Sequence, residues 1–329
     1  MTDLPADDGR KTASITPSCS VRIETGSRLH FGLLDTVDPF GGVGVMIEQP
    51  VTEVVVSPSD RFVCDHQDRT RIREIVRRVA EFARLTDLPK CHVEVKSRSP
   101  AHCGLGSGTQ LSLAVAEAVC RALSICCEPT SIACEMAMRG QRSAVGVHGY
   151  FGGGLIFECA EEPSALNAVR GRVELPNHWC VGLFRPSDEV KKVSGEFERE
   201  QFANLLPAGS EARSGLIRIV SSQILKAAEQ GDFAAFASAV HRFNYESGKL
   251  FEAVQGGPYN GPAVTRVIER LIDRGALGVG QSSWGPGVFA WFESQREAEA
   301  LAQSLPPDVT VVAITRPRNQ PRTLQESPR

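Results

Sequence analysis

No apolar run in the 329-residue chain reaches the roughly 20 residues that a bilayer-spanning helix needs, so no membrane-crossing helix is expected. Neither sign of charge dominates. Lys and Arg number 36 against 39 Asp and Glu, for a net charge of −3. That balance supplies no global positive field to draw nucleic acid or an anionic membrane surface. The N-terminus begins with Asp3, Asp7 and Asp8 and lacks the basic start and apolar stretch of a signal peptide, which points to the cytoplasm. Ten cysteines are present but no Cys-x-x-Cys pair, so neither a zinc site nor a disulfide framework is indicated. Cys120, Cys127 and Cys134 recur every seven residues among Leu, Ala and Val, as on the buried face of helices. Repeats and low-complexity tracts are missing too.

What is present is ordinary globular material: 42% hydrophobic and 23% charged residues, in a length that suggests two domains or one large one. Residues 21–25 alternate apolar and polar, as a half-buried strand does. Residues 51–57 and 91–95 do the same, with Pro50 interrupting between 47 and 51. Residues 69–85 place Ile72, Ile75, Val76, Val79 and Phe82 at helical spacing. An Ala- and Leu-rich buried helix follows from Thr109, and a second helix spans 130–139 before Gly140, a helix stop. Residues 146–154 read as a glycine-dense loop, and 155–158 as a short strand. The polar stretch 161–177 reads as a domain boundary. Beyond it, strands at 179–184, 288–292 and 309–314 are interspersed with helices at 214–230, 232–248 and 262–274. Strands first and helices after indicate α+β. The expected organisation is a flexible tail 1–18, one domain over 19–170, a second over 171–315, and a loose end 316–329 rich in Pro, Arg and Gln.

The strongest local signal is Gly104-Leu105-Gly106-Ser107-Gly108-Thr109, placed between a strand and a helix. Glycine permits positive φ and a close backbone approach to a ligand. A helix start offers unpaired N–H groups and the positive end of the dipole to an anion. Ser107 and Thr109 add hydroxyls for phosphate or a phosphate-bound metal. The pattern is neither a Walker loop, since no Gly-Lys-Ser/Thr follows, nor the dinucleotide fingerprint. A tight turn without a ligand is the plainer alternative.

Pro100 with Gly104-Leu105-Gly106-Ser107-Gly108 resembles the phosphate loop of the GHMP kinases. Gly278-Val279-Gly280-Gln281-Ser282-Ser283-Trp284-Gly285-Pro286-Gly287 resembles that family's C-terminal glycine-rich motif, which packs beside the phosphate loop. The resemblance implies a two-domain GHMP-kinase fold: an N-terminal domain like domain 2 of ribosomal protein S5, and a ferredoxin-like C-terminal domain. It places Gly285 and Gly287, with Gly104 to Thr109, at the bound phosphates. Those family kinases that use a catalytic aspartate carry it roughly two helical turns before a double glycine. Here residues 140–154, ending in Gly152-Gly153-Gly154, contain no Asp or Glu. The base that would accept a hydroxyl proton is missing.

Three further segments are similar to the β-ribofuranosylaminobenzene 5′-phosphate synthase family: Arg28-Leu29-His30-Phe31-Gly32, Gly42-Val43-Gly44-Val45-Met46-Ile47-Glu48-Gln49-Pro50, and Arg139-Gly140-Gln141-Arg142-Ser143. This resemblance runs from about residue 21 to 314. It implies condensation of phosphoribosyl pyrophosphate with an aromatic acid, 4-aminobenzoate or 4-hydroxybenzoate, with release of pyrophosphate and carbon dioxide. It also implies a place in making methanopterin-type cofactors, Mg²⁺ as the partner of pyrophosphate, and a homodimer. Arg28 and Arg142 are the expected carboxylate clamps, because arginine offers a planar fork. His30 and His148 are candidate proton shuttles, and Asp35 and Glu48 candidates to face the oxocarbenium-like sugar. Ser107 and Glu135 are candidate magnesium ligands, and Lys191 and Lys192 candidates for a 5′-phosphate. Each has a blander reading as a cap, a core group or a solvated charge. A small-molecule kinase of the same fold, and a non-catalytic sensor of a phosphorylated metabolite, are the competing functions.

Overall fold

The computed structural model describes residues 14–101, 103–187, 200–202 and 204–328. Lys191 and Lys192, His102, and most of the expected N-terminal tail lie outside the described residues. Alternating apolar residues build a first antiparallel sheet in the order β10-β1-β2-β4-β5, with β3 also paired to β2. Its strands are β1 (Cys19–Leu33), β2 (Gly42–Pro58), β3 (Cys91–Ser97), β4 (Leu155–Glu158), β5 (Val169–Val173) and β10 (Thr323–Pro328). Both β1 and β2 are longer than the sequence pattern suggested, and β2 runs through Pro50. Register shifts between Thr25 and Ser27 and between His30 and Gly32 bracket Arg28 and His30. Such bulges re-aim side chains.

Helix α1 (Arg69–Phe82) buries Ile72, Ile75, Val76 and Val79, as its spacing predicted. Helix α2 (Ser107–Ala122) is buried along nearly its whole length. The segment 130–139 is a single helical turn, Pro129–Ser131, continued by a π-helical turn at Ile132–Met136.

Residues 146–154, expected to be a loop, instead contain helix α3 (Val145–Gly152). Its glycines serve close packing rather than freedom. A Cβ on Gly149 would stand 2.5 Å from Met46, and one on Gly146 would stand 3.3 Å from Thr109. Gly153, at φ +64°, then ends the helix. The stretch 316–329, expected to be loose, supplies β10, which pairs with β1 from Cys19↔Pro328 to Glu24↔Thr323. An edge strand held by backbone bonds needs few apolar residues, so its composition reads as coil. Buried Glu117 secures it, accepting from Arg322 Nε at 2.9 Å and from the Tyr150 hydroxyl at 2.7 Å. The first domain therefore runs past residue 170, through β5, and takes back the chain's end.

The second sheet is antiparallel in the order β7-β8-β6-β9: β6 (Cys180–Pro186), β7 (Leu277–Gln281), β8 (Val288–Phe292) and β9 (Val309–Thr315). Around it lie α4 (Ser210–Ile219), which passes through a π-turn into α5 (Leu225–Gln230), then α6 (Phe233–Lys249), α7 (Gly261–Asp273) and α8 (Gln295–Gln303). Helix α6 fastens the two halves together. Asn244 Nδ2 donates to the carbonyls of Phe31 on β1, at 2.6 Å, and Gln281 on β7, at 2.8 Å. Ser247 donates to the Leu33 carbonyl at 2.7 Å. Phe31 packs on Phe289 with ring centroids 5.3 Å apart. Burying each such side chain contributes roughly 1.5–3 kcal/mol. No described helix is long and apolar enough to cross a membrane.

Candidate active site

At the junction of the halves the two glycine-rich loops meet backbone to backbone. A Cβ on Gly104 would lie 2.1 Å from the Ser282 carbonyl, and one on Gly287 would lie 2.1 Å from the Cys103 carbonyl. No side chain fits at either place, so both positions require glycine. The Ser282 hydroxyl donates to the Gly104 carbonyl at 2.7 Å, and its Oγ accepts from the His30 backbone N–H at 3.0 Å. Gly106, in the left-handed region at φ +68°, opens α2, and among the described residues no side chain caps the helix start. The first N–H groups of a 16-residue helix thus stand where an anion can use them.

Guanidinium groups surround that start. The space above Gly106 is bounded by Arg28, whose Cβ and Nε would lie 3.3 Å from an added Cβ. Above Gly108 stand Arg71 Nη1, at 3.2 Å, and Arg139 Nη2, at 4.0 Å. Arg28 also donates from its backbone N–H to the Leu105 carbonyl at 3.0 Å, and Arg139 donates to Ser112 Oγ at 3.2 Å. Of these, Arg28 and Thr109 were legible as candidates, whereas Arg71 and the role of Arg139 were not.

Arg28, Thr109, Arg139 and Arg142 share the wall of one cavity with His30, Ser143 and an aromatic group, Phe202, Phe251 and Trp284. The rings touch edge to face: Phe202 lies 5.4 Å from Trp284 and 5.6 Å from Phe251. The Arg142 guanidinium sits 4.6 Å from the centre of Phe202. Arginine can stack on a ring in this way and keep its donors for a carboxylate. Of the three aromatic residues only Trp284 lies in a motif read from the sequence, and none of them was given a role there. They come from segments far apart in the chain, and only the fold assembles them.

His30 is buried, and its Nε2 lies 2.9 Å from Ser143 Oγ. Burial, then the Arg28 charge, holds its pKa well below 6.5, so the ring is neutral. Behind Ser143 stands a carboxylate that sequence reading missed, Glu158 on β4. It is fully buried, its Oε1 accepts from the Ala144 N–H at 3.2 Å, and among the described residues its Oε2 has no partner at hydrogen-bond distance. Burial raises its pKa to about 7, with Asn167, the Ala144 N–H, Ser143 and Arg213 acting the other way. The one signal in the sequence was an acid closing the apolar strand Leu155-Ile156-Phe157.

Other expected site residues stand elsewhere. Asp35 is a structural cap whose Oδ1 accepts from the backbone N–H groups of Thr36 and Ala208 at 2.8 Å, with Arg213 alongside. Glu48 is exposed at the far part of β2, in a cleft with Glu24, Arg316 and Arg318. His148 lies 2.7 Å, through Nε2, from the Asn167 carbonyl, and burial lowers its pKa. It does not line the cavity. Glu135 is exposed in the π-turn and does not line it either. Ser107, buried, opens α2 as expected. Among the described residues no group of three or more His, Cys, Asp or Glu is arranged to hold a metal, and the cavity wall carries no carboxylate. Magnesium takes oxygen ligands, usually including a carboxylate. The described wall thus supplies no acidic ligand for a magnesium ion.

The two sheets, the phosphate-type loop and its glycine-rich partner define a class. Residues 71–156 match the GHMP kinases N terminal domain and residues 224–308 the GHMP kinases C terminal family, in that order. Between them these matches take in just over half of the chain, which belongs to the GHMP kinase superfamily. Its α+β architecture is also that of homoserine kinase from Cytophaga hutchinsonii, with a TM-score of 0.67 over 93% of this chain and 97% of that one at 17% identity. Within the superfamily the chain is similar to β-ribofuranosylphenol 5′-phosphate synthases. The protein of that name from Methanothermobacter thermautotrophicus is 29% identical over 90% of this chain and 96% of its own length. The one from Archaeoglobus fulgidus is 29% identical over 83% and 88%. These relatives bear the names of enzymes, and synthases rather than kinases.

Proposed function

We propose that this protein joins ribose C1 of phosphoribosyl pyrophosphate to the carboxylate-bearing ring carbon of 4-hydroxybenzoate or 4-aminobenzoate, releasing pyrophosphate and carbon dioxide. One observation carries the reading: the described cavity wall combines Arg28, Arg139 and Arg142 with an aromatic cluster and has no carboxylate. Transfer from ATP to an alcohol is helped by a positioned base, and here the groups on the wall instead suit anions and a ring. In this reading pyrophosphate lies at the start of α2 between Arg28 and Arg139. There, helix N–H groups and charge-assisted bonds stabilise the negative charge that builds as it leaves. Arg142 holds the carboxylate of the aromatic acid, and Phe202, Phe251 and Trp284 offer edges and faces to its ring.

The archaeal relatives are named for a phenol product, so 4-hydroxybenzoate is the first acceptor to try. A homodimer in the cytoplasm, feeding a methanopterin-type cofactor, belongs to the same reading. The test is to incubate the protein with phosphoribosyl pyrophosphate, magnesium salt and each carboxyl-labelled acid. One-to-one release of labelled carbon dioxide and pyrophosphate supports the reading. No release with either acid, together with consumption of ATP in the presence of a small alcohol, overturns it and returns the protein to the kinases.

A further inference from the structure

The described cavity wall offers a ring-binding site but no acid, yet a buried acid stands directly behind it. We propose that Glu158, through Ser143 and His30, takes up and gives back the proton of the acceptor's 4-substituent. The proposal rests on the synthase reading for its substrate and on geometry for its path. His30 and Ser143 both line the cavity, their polar atoms are 2.9 Å apart, and Ser143 is the residue before Ala144, whose N–H fixes Glu158 Oε1. Among the described residues no hydrogen-bond partner stands at bonding distance from Glu158 Oε2, while the Ser143 and Asn167 side chains act on the carboxylate from nearby. An orphaned buried carboxylate oxygen is costly to keep, and a proton gives it a role.

The chemistry supplies that proton. As the ring carbon bonds to ribose C1, the C1–O bond breaks and pyrophosphate leaves with the electron pair. The 4-hydroxyl or 4-amino proton passes to His30, and the lone pair it leaves behind closes the ring into a quinone-like form. His30 passes a proton to Ser143 Oγ, and the Ser143 hydroxyl proton moves to Glu158. When the bond from the ring to the carboxylate breaks, its electron pair restores aromaticity and carbon dioxide departs. The proton then returns along the same path to the 4-substituent. No net proton is gained or lost. A proton acceptor positioned in this way contributes about 10²–10⁴-fold to a rate.

The environment is set for such an exchange. Glu158 titrates at about 7, raised by burial and opposed by Asn167, the Ala144 N–H, Ser143 and Arg213. Cys159, its chain neighbour, is kept a thiol by burial. His30 faces Arg28 and is neutral, so it can accept a proton and cannot easily keep one. Glu158 must be a carboxylate to receive the proton, so kcat should fall as pH drops through about 7.

The experiment compares wild type, Glu158→Gln, Glu158→Asp and Ser143→Ala in pH profiles of kcat and KM. Glu158→Gln and Ser143→Ala should each lower kcat about 10²-fold and abolish the acid limb, with KM for both substrates changed only a few-fold. Glu158→Asp should restore part of kcat and keep a limb. Ser143→Ala, on the cavity wall, carries the test should the core variant fail to fold. In parallel, infrared spectra of the protein without substrate should show a buried carboxylic acid band that titrates near neutrality and is missing in Glu158→Gln. A limb that persists in both Glu158→Gln and Ser143→Ala, or a band that does not titrate, overturns the relay. Absence of turnover in wild type overturns the synthase reading instead, and the infrared titration still decides whether Glu158 exchanges a proton.

Discussion

The β1–β2 pair carries opposite chemistry at its two parts. Arg28 and His30 face a cavity rich in guanidinium and aromatic groups. Glu24 and Glu48, on the same two strands, face a cleft of mixed charge with Arg316 and Arg318. Near neighbours in sequence therefore serve different surfaces. What separates them is what packs on the strands: Ser282, Phe202 and Trp284 from the second half at one part, and the returning chain at the other. Motif proximity nominated Glu48 together with Arg28. The three-dimensional neighbours keep only Arg28.

The sharpest way to break this contrast is Arg28→Ala. It should lower kcat/KM by about 10²–10³-fold, the usual loss on removing one donor to a developing anion, measured by pyrophosphate release. Gly104→Ala should destabilise the protein by roughly 1–3 kcal/mol, the usual cost of a side chain in a left-handed position, with a further penalty from the Ser282 carbonyl. Thermal denaturation reads it as a lower Tm. Arg142→Ala should raise KM for the aromatic acid about ten- to a hundredfold, as loss of a hydrogen bond to a charged group does. KM for phosphoribosyl pyrophosphate should hardly change, which separates the two ends of the cavity.

The pH dependence of stability sharpens the picture at Glu158. Its folded pKa of about 7 lies above the ordinary 4.5, so the folded state binds the proton more tightly than the unfolded state. Its stability contribution is complete below 4.5 and is lost as pH rises through about 7. Glu158→Gln should remove that slope in urea titrations run across this window. The smallest effect is expected at Glu48→Gln, in the opposite cleft: activity within about twofold, and stability within ~0.5 kcal/mol.

Much of this was legible beforehand, for definite reasons. Gly104, Gly106 and Gly108 announce an anion loop because few other sequences need three alternating glycines before a helix. The apolar periods of α1 and α2 gave their buried faces directly. Helix α3 is not legible in the sequence because glycine density means freedom in one setting and close packing in another, and only the contacts with Met46 and Thr109 reveal which. The edge strand β10 is not legible in the sequence because backbone pairing leaves little mark on composition. At the site, Arg28, His30 and Arg142 could be named, since each lies in a continuous motif. Phe202 and Phe251 could not, and Trp284 carried no role although it lies in the glycine-rich motif, since their meeting at the cavity depends on Asn244 and Ser247 of α6 fastening β1 to β7. Arg71 could not because only the packing of α1 on α2 brings it over Gly108. Asp35 and Glu48 show the converse: acids beside promising motifs that the fold uses to cap a loop or leaves in a separate cleft.

The proposed reaction makes a carbon–carbon bond between a sugar and a ring above the start of α2. The most direct measurement is carbon NMR of the product formed from phosphoribosyl pyrophosphate labelled at ribose C1 and 4-hydroxybenzoate labelled at the carboxylate-bearing ring carbon. A one-bond coupling between the two labels is expected, in a product that has lost its carboxylate. A product that retains the carboxylate, with ribose attached through oxygen or absent, would contradict it.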